Sequence, residues 1–392
     1  MTNFPGGTDH VDDPILERLG VRTFINAAGS YTRLGGSRMP LPVVEAMHEA
    51  AGRFVEIDDL QARVGARIAA LTNNEAAYVT CGAAAGLLIA AAACMTGADV
   101  ARARQLPDAR GLLTRIVVHR AHRNLYDYAV RTLPIELVEI GYPNLIAPPT
   151  EWELEQALAE QTAAVLYVVG GWVAPGALAL DRLLDIAHRR GVPVILDAAA
   201  QLPPKENLWR FTKMGVDLVI FSGGKDLRGP QSSGLILGRP DLIAACALVG
   251  APHHGIGRPF KVGKEELVGL CAAVQWYIEQ DEEGRARRAE ALVGRLVEQS
   301  HGPNLTVERR FPNEAGQPIA RALVRFTGPD GEQRRAQAAT MLRAGDPSIE
   351  VGPAEEANAF YVNPMTVDAD EEETLVERLR CVLAERPAAK GS

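Results

Sequence analysis

From about residue 75 to 240, short apolar runs alternate with helical stretches, and this alternation restricts the fold more than any other feature of the chain. Seven runs have strand character: AAYVT (76–80), RIVVH (115–119), ELVEIG (136–141), AAVLYVVG (163–170), PVILDA (193–198), DLVIFSG (217–223) and SGLILG (233–238). Most are continuously apolar, as strands covered on both faces are. Between them, ALDRLLDIAHRRG (179–191) has apolar residues at three- and four-residue spacing, arginines in its last turn and Gly191 just beyond, which reads as a helix with a stop. EWELEQALAEQ (151–161) reads the same way. Repeated units of this kind predict an α/β fold: a mainly parallel seven-stranded sheet with helices on both faces.

Beyond it, residues 264–299 form one long helical pattern or two, and TVERRF, ARALVRF and AFYVNP read as strands before a helix from Glu371 to Glu385. These predict a smaller α+β C-terminal domain. The expected organisation is an N-terminal segment at 1–40 that contributes to the site entrance, a large domain at 41–262, and a linking helix with the small domain at 263–392.

Composition removes several function classes. A net charge of -8 and a pI near 5.6 leave no broad basic surface for nucleic acid. Five scattered cysteines without CxxC spacing suggest neither a disulfide framework nor a zinc site, and fit a reducing cytosol. No His/Cys/Asp cluster has metal-ligand spacing. The opening MTNFPGGTDHVDDP has no basic stretch followed by an apolar segment, so a signal peptide is not expected. AAAGLLIAAAACMTGA (83–98) is shorter than the ~20 residues of a membrane span and reads as a buried helix. A cytoplasmic protein with no membrane contact is expected.

In an open parallel sheet, ligands sit beyond the carboxyl ends of the strands. Three segments that end expected strands carry complementary polar groups: TCGAAAG (80–86), LDAAAQLPP (196–204) and FSGGKDLRGP (221–230). In the first, Gly82, Ala83 and Ala84 open a helix whose free N–H groups suit a phosphate, although a small-residue turn also serves tight packing. In the second, Asp197 ends an apolar strand, where a carboxylate needs a partner; a buried Asp that caps the following turn is the plainer alternative. In the third, Lys225, one of six lysines, stands among glycines at a strand end. Desolvation there lowers the pKa of an ammonium and frees a nucleophilic amine, while a loop lysine whose glycines serve only the turn stays open. It is not a Walker loop, because no GxxxxGK spacing precedes it. Together the three supply what pyridoxal phosphate needs: a phosphate site, a partner for the ring nitrogen and an amine for the aldehyde, with the Ser222 hydroxyl beside them.

In these segments the chain resembles the fold-type I pyridoxal phosphate enzymes of the aspartate aminotransferase superfamily. More narrowly, it resembles the branch that holds selenocysteine synthase and D-glucosaminate-6-phosphate ammonia-lyase. The resemblance runs from INAAGSYTRLGG (25–36) to IGRPFKVGKEELVGL (256–270) and is most specific in SGGKDLRGPQSSGLILG and GRPFKVGKE. It implies that Lys225 bonds the cofactor, that Asp197 partners the pyridine nitrogen, and that Gly82, Ala83, Ala84 and Ser222 hold the phosphate. His122, in HRAHRNLYD (119–127), is implied as the ring-stacking residue, a surface histidine being the alternative. Arg120 and Arg123 are candidates for substrate anions. Ser30, Tyr31, Thr32 and Arg33 match the branch's N-terminal signature at the substrate entrance. Arg258, Lys261 and Lys264 are expected either to serve a substrate or cofactor phosphate, in the same or a neighbouring subunit, or to be a solvated charge run. Gln231 is expected to be structural.

The activity implied is that of a pyridoxal phosphate-dependent lyase. It would eliminate the β-hydroxyl of a small hydroxylated amino acid or amino-sugar acid, phosphorylated or not, and release ammonia and a 2-oxo acid. Transamination, racemisation, a selenocysteine-synthase-like transfer and a non-catalytic binding protein of the same fold remain the alternatives. A homo-oligomer is expected. Transfer RNA is not an expected partner, because the chain is acidic and begins almost at once with the INAAG segment.

Overall fold

A computed structural model describes residues 15–300, 302 and 304–384. The opening stretch read above for a leader, and Glu385 at the end of the last expected helix, lie outside the described residues. The chain divides into two compact units. The larger comprises residues 30–287 and 311–319; the smaller joins residues up to 29, 288–310 and those from 320 onward.

The first strand, β1 (Phe24–Ala27), belongs to the smaller unit. The next seven are the ones expected from the sequence: β2 (Ala76–Thr80), β3 (Arg115–His119), β4 (Glu136–Ile140), β5 (Thr162–Val168), β6 (Val194–Asp197), β7 (Leu218–Ser222) and β8 (Gly234–Gly238). They form one sheet in the order β2-β8-β7-β6-β5-β3-β4. All neighbours are parallel except the two pairs made by β8, which runs antiparallel to β2 and β7. Strands β2, β3, β5, β6 and β7 therefore share one direction and bring their carboxyl ends to one edge. That edge is where the candidate residues were placed by sequence.

The continuous apolar runs are explained by burial on both faces. Val79, Val117, Val165, Leu196 and Val219 pack on one side with Ile68, Leu183, Leu270 and Tyr277. Tyr78, Ile116, Leu166, Ile195 and Ile220 pack on the other with the helix Ala83–Thr96. That helix is buried from Ala85 through Thr96, so its alanines form a layer against the sheet and not a membrane segment. Among the described residues no helix is long and apolar enough to cross a membrane.

The pattern at 264–299 resolves into two helices, Lys264–Glu279 and Glu282–Gln299. The first was expected as a link to the small domain. Instead its Leu267, Leu270, Val274 and Tyr277 lie in the same apolar cluster as the large sheet, and it belongs to the larger unit. The smaller unit has a five-stranded sheet in the order β1-β11-β12-β10-β9, with β9 (Leu305–Arg310), β10 (Arg321–Phe326), β11 (Ser348–Pro353) and β12 (Ala359–Val362). Strand β1 pairs in parallel with β11, Phe24 opposite Ser348. The last helix spans Glu372–Ala384.

Edge strand β2 is sealed by the helix Ile57–Leu71. Gln61 Nε2 donates to the Val79 carbonyl at 2.8 Å, and a β-carbon on Gly65 would stand 2.4 Å from the Ala77 oxygen. An unpaired strand edge invites association, so the covering helix must lie close. Replacing Gly65 by Ala is expected to push this helix off the edge and lower stability by about 1–3 kcal/mol. Denaturant titration reads the change, and an unaltered midpoint would contradict the close approach.

Candidate active site

The loop after β7 is built by close backbone approach. A β-carbon on Gly223 would stand 2.0 Å from Ser233 Oγ, and one on Gly224 would stand 2.4 Å from the Gln231 α-carbon. The glycines around Lys225 thus allow the chain to fold back on itself between Gly223 and Gly234. The Gly223 N–H donates to Ser233 O and the Gly229 N–H to Gly223 O, both at 2.9 Å. From the N-terminal side, Ser37 Oγ donates to the Lys225 carbonyl at 2.6 Å, and Gln231 Nε2 donates to Thr32 O at 2.8 Å. Next to the lysine, buried Asp226 accepts from Tyr277 Oη at 2.7 Å and from Arg285 at 2.6 Å. The backbone that carries Lys225 is therefore held on three sides.

Asp197 ends β6, the strand paired with β7, and is buried. Its Oδ1 accepts the Ala199 N–H at 3.0 Å. Burial pushes its carboxyl pKa up, opposed by that hydrogen bond and by the Lys225 charge. Burial pushes the Lys225 ammonium pKa down, opposed by the charges of Asp197 and Glu314. Both shifts have one cause: a low-dielectric site disfavours each charged form, and the Ala199 N–H, the Glu314 charge and their mutual attraction offset it in part.

At the end of β2 the chain turns through Gly82, whose φ of +103° suits glycine, into the helix Ala83–Thr96. No side chain caps this helix. The first-turn N–H groups lack intrahelical partners and face the positive end of the helix dipole.

These parts line one cavity of about 680 Å³ within the larger unit. Gly82, Ala83, Ala84, Asp197, Ser222 and Lys225 all contribute to its wall. An uncapped helix start, a buried acid and a desolvated amine in a cavity of ligand size fit the phosphate, ring nitrogen and aldehyde of pyridoxal phosphate. His122 is buried and does not line the cavity; its Nδ1 accepts the Val168 N–H at 3.2 Å, and its ring packs edge-on against Tyr167 at 4.4 Å. Arg123 is drawn away into ion pairs with Asp127 and Glu139. Arg33, Arg258 and Lys261 are exposed, and they, Ser30 and Tyr31 are absent from the lining, whereas their neighbour Thr32 is part of it. Lys264 pairs with Glu265.

Sequence reasoning did not single out Met39, Met47, Tyr126, Trp172 or Glu266, which also line the cavity. Trp172 follows the carboxyl end of β5, so the strand-end rule applied to β2, β6 and β7 would have found it. Glu266 gave no signal, because an acid in the first turn of a helix is ordinary.

The family described as SelA: L-seryl-tRNA selenium transferase matches residues 24–300. The chain belongs to this family. Among its relatives, a D-glucosaminate-6-phosphate ammonia lyase of Salmonella typhimurium is 36% identical, covering 93% of this chain and 97% of that one. A 5'-C-glycyluridine monooxygenase-decarboxylase of a Streptomyces species is also 36% identical, covering 95% of this chain and 93% of its own. An L-seryl-tRNA(Sec) selenium transferase of Moorella thermoacetica is 29% identical over 67% of this chain and 57% of its own. Among solved structures, a D-glucosaminate-6-phosphate ammonia-lyase superposes with a TM-score of 0.81 at 34% identity, covering 95% of this chain and 98% of the other.

In this member of the family the two buried histidines add a pH dependence. His119 Nε2 accepts the Leu178 N–H at 3.2 Å, and its ring lies 5.0 Å from that of His122. Burial lowers their pKa values to about 4 for His119 and about 3 for His122. In the unfolded chain both titrate near 6.5, so the unfolded state binds more protons below that pH. The stability they contribute is complete above pH 6.5 and falls by about 1.4 kcal/mol per unit for each as pH drops below it. Denaturant titrations between pH 7.5 and 5 read the slope. Two histidine ring signals that stay neutral at pH 5 are expected by NMR, and titration of every histidine near 6.5 would contradict the burial.

Proposed function

We propose that this chain is a pyridoxal phosphate-dependent ammonia-lyase acting on an amino-sugar acid. The observation that carries the reading is the convergence of Lys225, Asp197 and the Gly82–Ala84 helix start on one cavity, in a chain similar over nearly its whole length to a D-glucosaminate-6-phosphate ammonia-lyase.

When bound, pyridoxal phosphate supplies an electron sink for negative charge at the substrate α-carbon. In this proposal the N–H groups after Gly82 and the Ser222 hydroxyl would hold its phosphate, Asp197 would partner its ring nitrogen, and Lys225 would supply the amine for its aldehyde. Lys225 Nζ would take the substrate α-proton as general base. Burial suits it to that task by favouring the neutral amine. The resulting ammonium then donates its proton to the departing β-hydroxyl. Arg258 and Lys261, exposed on this chain, are assigned to a cofactor or substrate phosphate within a homo-oligomer. The same reading places the protein in the cytoplasm, where its five free cysteines remain reduced, and gives it no nucleic-acid partner, consistent with its acidic charge.

The test is incubation with amino-sugar acids under nitrogen and without a keto-acid acceptor, followed by assay of ammonia and 2-oxo acid. Equal yields of the two are expected, and Lys225→Ala is expected to lose at least 10³-fold in rate, on the order of what a missing base and nucleophile cost. A strict need for an acceptor would point to transamination. A strict need for oxygen would point to the chemistry named for the Streptomyces relative. Sedimentation as an active monomer would remove the homo-oligomer.

A further inference from the structure

Among the described residues, three that are not glycine have a left-handed backbone: Asn73 at φ +51°, Asn304 at +58° and Arg228 at +53°. Asparagine tolerates that region because its short amide can bond to the local backbone. A long arginine side chain has no such local compensation, so contacts with other elements must hold Arg228 there. The residue sits in the lysine loop, and its own N–H donates to the Lys225 carbonyl at 3.0 Å.

The side chain reaches two further elements. Arg228 Nε donates to the Arg38 carbonyl at 2.7 Å, and the guanidinium lies over the Trp276 ring, 5.7 Å from its centre. Arg38 belongs to the INAAGSYTRLGG end of the chain, where Ser37 Oγ already bonds the Gly224 and Lys225 carbonyls. Trp276 is on the helix Lys264–Glu279 and packs against the core of the large sheet. All three elements lie in the larger unit, and each supplies part of the cavity wall. The loop contributes Lys225, the N-terminal segment Thr32 and Met39, and the helix Glu266. Arg228 is absent from that wall, so it acts through the parts it joins. A planar guanidinium can donate along its edge while its face meets an aromatic ring, which a lysine ammonium cannot do.

We propose that Arg228 is a positioning residue. Its left-handed backbone is retained because the guanidinium clasps residues 32–39 and the helix Lys264–Glu279 to the lysine loop, and this clasp fixes the shape of the cavity around Lys225. The inference goes beyond the proposed activity and rests on the ammonia-lyase reading only where turnover is measured.

The test is Arg228→Gly in the cofactor-loaded protein. Glycine suits the left-handed backbone and removes the guanidinium, so the substitution separates the clasp from the fold. The denaturation midpoint is expected to equal or exceed that of the wild type. Amide hydrogen exchange over residues 32–39 is expected to quicken about tenfold, while exchange in β6 and β7 is unchanged. With an amino-sugar acid as substrate, KM is expected to rise about tenfold and kcat to stay within about threefold. Arg228→Lys, which keeps the charge without the planar fork, is expected to lie between the wild type and Arg228→Gly in exchange and in KM. A lower midpoint in Arg228→Gly, with faster exchange throughout the larger unit, makes the residue a general support of the fold and overturns the proposal. Exchange over residues 32–39 and KM that both match the wild type overturn it as well. Midpoint and exchange are read without turnover. A wild type that releases no ammonia therefore removes the lyase reading, and exchange alone then decides the clasp.

Discussion

The site in the larger unit depends on a half-buried amine and a buried carboxyl carried at the ends of neighbouring strands. Strands β6 and β7 are hydrogen-bonded neighbours running in the same direction, and each releases one of the pair beyond its carboxyl end. Neither charge is favoured where it lies, and the two shift toward neutrality for the same reason. Such a pair costs stability unless something holds it. The holding is done by the backbone: Ser37 on the Lys225 carbonyl, Ala199 on Asp197, and the Asp226–Tyr277–Arg285 anchor one residue beyond the lysine. Perturbed groups of this kind cluster at functional sites, and here a cavity opens beside them.

The glycines of the lysine loop take on a different meaning in three dimensions. Read in sequence, SGGK and the following RGP suggest glycines that serve only a turn. In the fold, Gly223 and Gly224 are positions of contact at which the returning chain leaves no space for a β-carbon. Their role is to make the loop close-packed, and a close-packed loop keeps Lys225 aimed. Gly36 belongs to the same packing, since a β-carbon there would stand 2.5 Å from the Gly224 oxygen. That contact ties the INAAGSYTRLGG segment to the lysine loop without placing its arginine in the cavity.

The large sheet was legible because its strands are continuous apolar runs, each long enough to stand out and each covered on both faces. Lys225, Asp197, Ser222 and the Gly82 turn were legible because they follow those runs. Other features left no local trace. Strand β1 has four residues and finds its partner β11 more than 300 positions away, so nothing near Phe24 marks it as a strand. For the same reason the small unit could not be seen to take residues from both ends of the chain. The helix at 264–279 has the periodicity of a linker helix, and only its contacts assign it to the large core. His122 is turned inward onto Val168, and Glu266, which carried no signal in sequence, lines the cavity. Side-chain direction at a loop or a helix start depends on tertiary packing, and no spacing rule encodes it.

The central claim is that the amine of Lys225, and no other, captures the aldehyde of pyridoxal phosphate beside Asp197. The most direct measurement is borohydride treatment of the purified, cofactor-loaded protein followed by peptide mapping. A single modified peptide containing Lys225, with loss of the visible absorbance, is the predicted result. Modification spread over Lys205, Lys213 and Lys261, or a protein that takes up no cofactor and shows no visible absorbance, would contradict the account.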